Sequence, residues 1–164
     1  MIKKLPLILF FITLAFSGFS QYDSIPPVQK TKTQPPFTLL SIDSVAFTQE
    51  VLDTGKNTIL MLFNPECEHC RKQLDRFLQM PEFYGPVQLV MISIETLDKT
   101  KLFYQRHHLA NYPFIHLGKD FKRFFISYFR AETIPVLAFY DKNKHLRLFK
   151  QGDVTEAEIL NALK

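Results

Sequence analysis

Thirteen residues, Thr58 to Cys70 (TILMLFNPECEHC), decide how the rest of the chain is read. Thr58 to Phe63 is a continuous run of apolar and β-favouring residues, the pattern of a strand covered on both faces. Cys67 and Cys70 follow, and then Leu74, Phe77 and Leu78 recur at i, i+3 and i+4, the spacing of one buried helix face. The spacing predicts a helix from the cysteines to about Met80, stopped by Pro81. The cysteines thus fall where a strand gives way to a helix. A helix N-terminus offers unpaired N–H groups and the positive end of the macrodipole, so a thiolate there is stabilised. Cys67 is the candidate nucleophile. Cys70, with two residues between it and Cys67, is placed to resolve a mixed disulfide on Cys67 by intramolecular attack.

Other uses of the pair fit less well. Cys67 and Cys70 are the chain's two cysteines. A structural bridge closing so short a ring removes little chain entropy, and zinc would need two further ligands where no second CxxC exists.

Outward from this segment, Val87 to Ile94 (VQLVMISI) predicts a second buried strand and Thr96 to about His108 an amphipathic crossover helix carrying Leu102, Phe103 and Tyr104. Phe121, Phe124, Phe125 and Tyr128 form an aromatic stripe at helical spacing, read as core packing. Val136 to Tyr140, the polar turn Asp141 to Lys144, and His145 to Lys150 read as a hairpin. Thr155 and Glu158 make a capping-box pattern before a last helix with Ile159, Leu160 and Leu163 on its apolar face. The expected order is strand, helix, strand, helix, helix, hairpin, helix.

Residues 1–20 begin with Lys3 and Lys4, continue apolar to Phe19 and end in small residues, as a secretory signal peptide does. The run is shorter than the roughly 20 residues of a membrane-spanning helix, so cleavage after Ser20 is expected, with an uncleaved anchor as the alternative. Residues 21–36, with Pro26, Pro27, Pro35 and Pro36, read as an extended linker, which leaves 37–164 as the domain. The mature protein is therefore expected to be exported, to the periplasm or cell envelope.

The chain has 164 residues, 46% hydrophobic and 22% charged, with a formal charge of +4. These values fit one globular domain with a true core and exclude a disordered or multi-span membrane protein. Without the first twenty residues, 18 basic residues face 16 acidic ones, so no nucleic-acid partner is expected.

The strand before Asn64-Pro65-Glu66-Cys67-Glu68-His69-Cys70, the Thr133-Ile134-Pro135 triplet before another apolar strand, and Gly152 after the hairpin together resemble the thioredoxin fold. The likeness covers Phe37 to Lys164 and is greatest to the exported TlpA/ResA branch. It implies an α/β fold, a central mixed β-sheet flanked by helices on both faces, and thiol–disulfide oxidoreductase activity. It further implies a cis bond before Pro135, with Ile134 and Pro135 binding an extended protein substrate. By the same resemblance the redox-active Cys67–Cys70 disulfide is the only cofactor, and no metal ligand set is assigned. The partners implied are protein thiols and disulfides and a membrane or exported electron-relay protein, with the chain a monomer.

Some positions depart from that pattern. Glu66 stands where an aromatic residue is usual, and Met61 and Gln73 occupy the two positions where relatives bury a proton-moving carboxylate. Neither is a base. His69 resembles the DsbA-like oxidases, because an imidazole beside Cys67 stabilises the thiolate and makes the disulfide more oxidising. Glu66 and Glu68 oppose that by adding negative charge, so all three are read as tuning residues. A TlpA/ResA-like reductant is favoured, with a DsbA-like oxidase as the alternative. A non-catalytic copper or zinc carrier using the cysteines and one of His107, His108, His116 or His145 is the other.

Overall fold

The computed structural model describes residues 25–80, 83 and 85–164. The expected signal peptide or anchor, the first part of the linker and the Pro81 helix stop lie outside the described residues. Seven strands form one sheet: β1 (Thr38–Leu40), β2 (Ala46–Thr48), β3 (Asn57–Phe63), β4 (Val87–Ser93), β5 (Ile115–Lys119), β6 (Val136–Tyr140) and β7 (Leu146–Gln151). Their order across the sheet is β2-β1-β5-β4-β3-β6-β7. β3, β4 and β5 run parallel, while β6, β7, β1 and β2 are joined antiparallel, so the sheet is mixed.

Alternation along β3 and β4 divides the interior into two layers. Ile59, Met61 and Phe63 of β3, with Leu89 and Met91 of β4, face one side. There they meet α2 (Glu68–Gln79) through Cys70, Leu74 and Phe77, α3 (Leu97–Arg106) through Phe103, and α5 (Glu156–Ala162) through Ile159. Leu60, Leu62, Val90 and Ile92 face the other side, covered by α4 (Phe124–Phe129) and by Val28 of α1 (Pro27–Thr31). Helices on both faces explain why the central strands carry continuous apolar runs, Ile59 to Phe63 and Leu89 to Ile92, rather than alternating.

The predicted elements around the cysteines are present, the hairpin is β6–β7, and the capping box forms in full at Thr155 and Glu158. Three readings are corrected. The linker reading does not hold for 27–36: Pro27 starts α1, Val28 is fully buried, and Thr31 Oγ1 lies 2.8 Å from the Tyr128 hydroxyl. Proline is well suited to a first helical turn, where its missing N–H costs nothing. The aromatic stripe is only partly core, because α4 begins at Phe124; Phe125, Tyr128 and Phe129 are buried, whereas Phe121 and Phe124 are exposed. In the sheet, β1, β2 and β5 were not anticipated, being short and mixed in composition.

Gly118 of β5 is where the β1–β2 hairpin closes onto the sheet. A Cβ there would lie 2.7 Å from Phe47 Cε1 and 2.8 Å from Leu39 Cβ, so only glycine fits.

Candidate active site

Two chain segments converge at one end of β3. β3 delivers the loop 64–67, and its antiparallel neighbour β6 starts at the same end, with Leu62 opposite Val136. Asn64 shapes the loop: its carbonyl accepts the Cys67 N–H at 3.0 Å, its Oδ1 accepts the Glu66 N–H at 2.8 Å, and its Nδ2 donates to Glu95 at 2.9 Å. Cys67 then caps α2, its sulfur accepting the Cys70 N–H at 3.2 Å. This is the helix N-terminal environment expected from the sequence, with the sulfur as the capping acceptor.

Both cysteines are thiols in this structure, Cys67 partly exposed and Cys70 fully buried. Burial pushes the Cys70 thiol above the ordinary thiol range, and its hydrogen bond with Cys67 and the nearby Asp153 carboxylate add to this. One sulfur is thus open to a partner while the other keeps its proton. The Ile134–Pro135 bond is cis, and the Ile134 carbonyl oxygen lies 3.9 Å from the Cys67 sulfur. The loop holding it is tied down from β7, since the Gly152 N–H donates to the Pro135 carbonyl at 2.7 Å and Gln151 Oε1 accepts from Glu132 at 2.8 Å. Cys67, Cys70, Ile134 and Pro135 are therefore brought together.

The tuning residues are arranged differently from expectation. His69 is not bonded to the Cys67 sulfur; its Nδ1 lies 2.9 Å from Asp153 Oδ2. Glu68 is paired with Lys72 at 2.7 Å, which holds its carboxyl below the usual range, and Glu66 is paired with Lys99 at 2.7 Å. These side chains are well exposed, so each pair contributes little to stability. Met61 is a core residue facing α2, and Gln73 is buried with Oε1 accepting the Val154 N–H at 2.9 Å.

The histidines are dispersed. His107 packs against Phe103 in a tilted pair with ring centres 4.3 Å apart, and burial holds its imidazole below the ordinary value. His108 precedes the 3-10 turn at 109–111, His116 is in β5, and His145 faces Asp141 at 3.8 Å. Among the described residues no group of three or more His, Cys, Asp or Glu side chains is placed to hold a metal ion. Beside the cysteine loop lies a hollow of about 220 Å³ lined by Pro65, Arg71, Leu102, Arg106 and His107. Leu102, expected on an apolar helix face, is exposed there.

Sequence reasoning missed Asn64 and Asp153. An amide three residues before a helix cap is a local turn signal; Asp153, directly after Gly152, gives none, since its partners lie in α2.

A mixed sheet with helices on both faces, a CxxC capping the helix after the central strand, and a cis-proline loop across from it define a thioredoxin-like fold. The solved structures it resembles include StoA from Bacillus subtilis, at 20% identity and TM-score 0.57 over 79% of this chain and 96% of that one. A secreted Mycobacterium tuberculosis disulfide oxidoreductase, described as homologous to E. coli DsbE, matches at 17% and 0.61 over 76% and 91%. A thioredoxin-like protein from Aeropyrum pernix matches at 16% and 0.60 over 82% and 90%. No protein-family model and no curated protein matches the sequence.

Proposed function

We propose that the protein is an exported thiol–disulfide oxidoreductase, a TlpA/ResA-like reductant acting on protein disulfides. One observation carries this: a partly exposed Cys67 sulfur held by a helix N–H, with a buried Cys70 thiol behind it and the Ile134 carbonyl 3.9 Å in front. The Cys67 thiolate attacks a substrate disulfide, forming a Cys67–substrate bond and releasing one substrate thiolate. Cys70 loses its proton and attacks Cys67, which forms the Cys67–Cys70 disulfide and releases the second substrate thiolate. Two electrons pass to the substrate.

An extended substrate segment beside Ile134 and Pro135 presents its sulfur to Cys67, and the hollow at Arg71 and Leu102 takes a flanking side chain. The site acts as a monomer in the periplasm or cell envelope and is recharged by a membrane or exported relay protein. Export rests on residues 1–20; among the described residues no helix is long and apolar enough to cross a membrane. The direction toward reduction is supported by His69 pairing with Asp153, which removes the reason for expecting an oxidising site. The test is the reduction potential of the pair in glutathione and dithiothreitol buffers, read by alkylation and mass. A value at or below about −220 mV supports the reductant, and one near about −120 mV would make it a DsbA-like oxidase. No exchange at all would remove the oxidoreductase reading.

A further inference from the structure

The exchange proposed above requires the Cys70 proton to leave, and the cysteine pair supplies no base. Cys70 is fully buried, and its helix neighbour one turn on is the amide Gln73. Met61, on the strand beneath, is apolar. Glu66 and Glu68 are engaged by Lys99 and Lys72 on the outer surface.

Asp153 is placed otherwise. It follows β7 at Gly152, the residue whose N–H holds the Pro135 carbonyl, and it precedes Val154, whose N–H is held by Gln73. These two bonds fix it between the proline loop and α2. Its outer oxygen, Oδ2, faces His69 at 2.9 Å. Its inner oxygen, Oδ1, is buried and has no hydrogen-bond partner among the described residues. The Asp153 charge is also felt at the Cys70 thiol. Gln73 Nε2, on the helix turn after Cys70, is likewise buried without a partner among the described residues, so an acceptor and a donor are both left open where the 153–154 segment meets α2. An unpaired buried carboxylate oxygen is costly, and such groups gather where chemistry needs them.

We infer that Asp153 is the proton acceptor for Cys70, with His69 as the residue that positions it. In the step, the Cys70 S–H proton passes to Asp153 Oδ1. The Cys70 sulfur then bonds to Cys67, the Cys67–substrate bond breaks, and the electron pair leaves on the substrate thiolate. The proton on Asp153 returns to solvent or to that thiolate. The titratable and charged groups that act on Asp153 are His69, Lys72 and Cys70 from α2, and Arg76 of the same helix is bonded to the carbonyl of the next residue, Val154.

The test uses the purified reduced protein and the aromatic disulfide dithiobis(nitrobenzoate). Attack by Cys67 releases one coloured thiolate and resolution by Cys70 releases a second, so stopped-flow absorbance separates the two steps. Asp153→Asn should leave the first phase near the wild-type rate and slow the second by about a hundredfold at pH 7, the low end of general-base effects. In that variant the second phase should rise with hydroxide across the pH range. Asp153→Glu should recover part of the rate, and His69→Ala should slow the second phase less and shift its pH profile. A second phase at wild-type rate in Asp153→Asn, or equal slowing of both phases, would overturn the inference. Wild-type protein that releases no thiolate at all would instead overturn the exchange reading on which it rests.

Discussion

Replacing Gly118 by alanine tests the packing that closes the sheet on its far side. The added methyl would lie 2.7 and 2.9 Å from Phe47 ring atoms and 2.8 Å from Leu39 Cβ. The Phe47 ring, on a partly exposed strand, can turn aside. Leu39 cannot, because its Cβ is fixed to the β1 backbone and the residue is fully buried. Relief therefore means moving β1, which is joined to β5 at the Leu40–Lys119 pair. Overpacking of this kind costs roughly 1–3 kcal/mol, and for a domain of this size that lowers Tm by about 3–15 °C. Differential scanning calorimetry reads the shift, and amide exchange should show it concentrated in 38–48. The Cys67 alkylation rate should not change, since β4 separates β5 from the cysteine strand. Adding Phe47→Ala should give a combined loss smaller than the sum of the two single losses, because the ring contacts are then gone. An unchanged Tm would refute the claim that β1 is rigidly seated on Gly118.

Cys70→Ser should halt exchange after the first step, so a Cys67 mixed disulfide with the substrate accumulates and is seen by mass. The buried Cys70 thiol also sets a pH dependence of stability. Its proton is held in the folded protein beyond the ordinary value near 9 at which the unfolded chain loses it. Stability of the reduced protein should therefore fall above about pH 9, by up to about 1.4 kcal/mol per pH unit. Urea midpoints should show this slope in wild type and lose it in Cys70→Ser. Val28→Ala, at a fully buried site in α1, should cost about 1.5–2.5 kcal/mol; a neutral change would mean that α1 is not part of the folded unit.

What the sequence shows of this fold follows burial. β3 and β4 are covered on both faces, so their apolar runs are unbroken and plain to see. β5 reads Ile-His-Leu-Gly-Lys, with His116 and Lys119 only partly covered and a glycine fitted to Leu39, so no run survives. α1 carries a single core residue, Val28, in a proline-rich stretch, and its helical state comes from docking rather than from pattern. Within the site, Cys67 and Cys70 are legible because their chemistry is local to one strand-to-helix junction. The partner of His69 is not, because Asp153 is 84 residues away and reaches it only through the sheet. Charged neighbours in sequence misled for a similar reason: Glu66 and Glu68 adjoin Cys67 in the chain but spend their charge on lysines.

The antiparallel pairing of Leu62 with Val136 fixes more than two strands. The sulfur is five residues beyond one end of that rung and the Ile134 carbonyl two residues before the other, so their separation is a matter of ladder register. Sliding β6 by one side-chain repeat along β3 would move them by about 6.8 Å, well beyond the 3.9 Å that now separates them. A slip of one residue would turn the inner faces of Val136 and Leu137 over and is resisted by both core layers. Reach toward a partner is thus indexed by hydrogen bonds in the middle of the sheet. The connections at the opposite end of the strands can lengthen or shorten across descendants of this chain without disturbing that gauge.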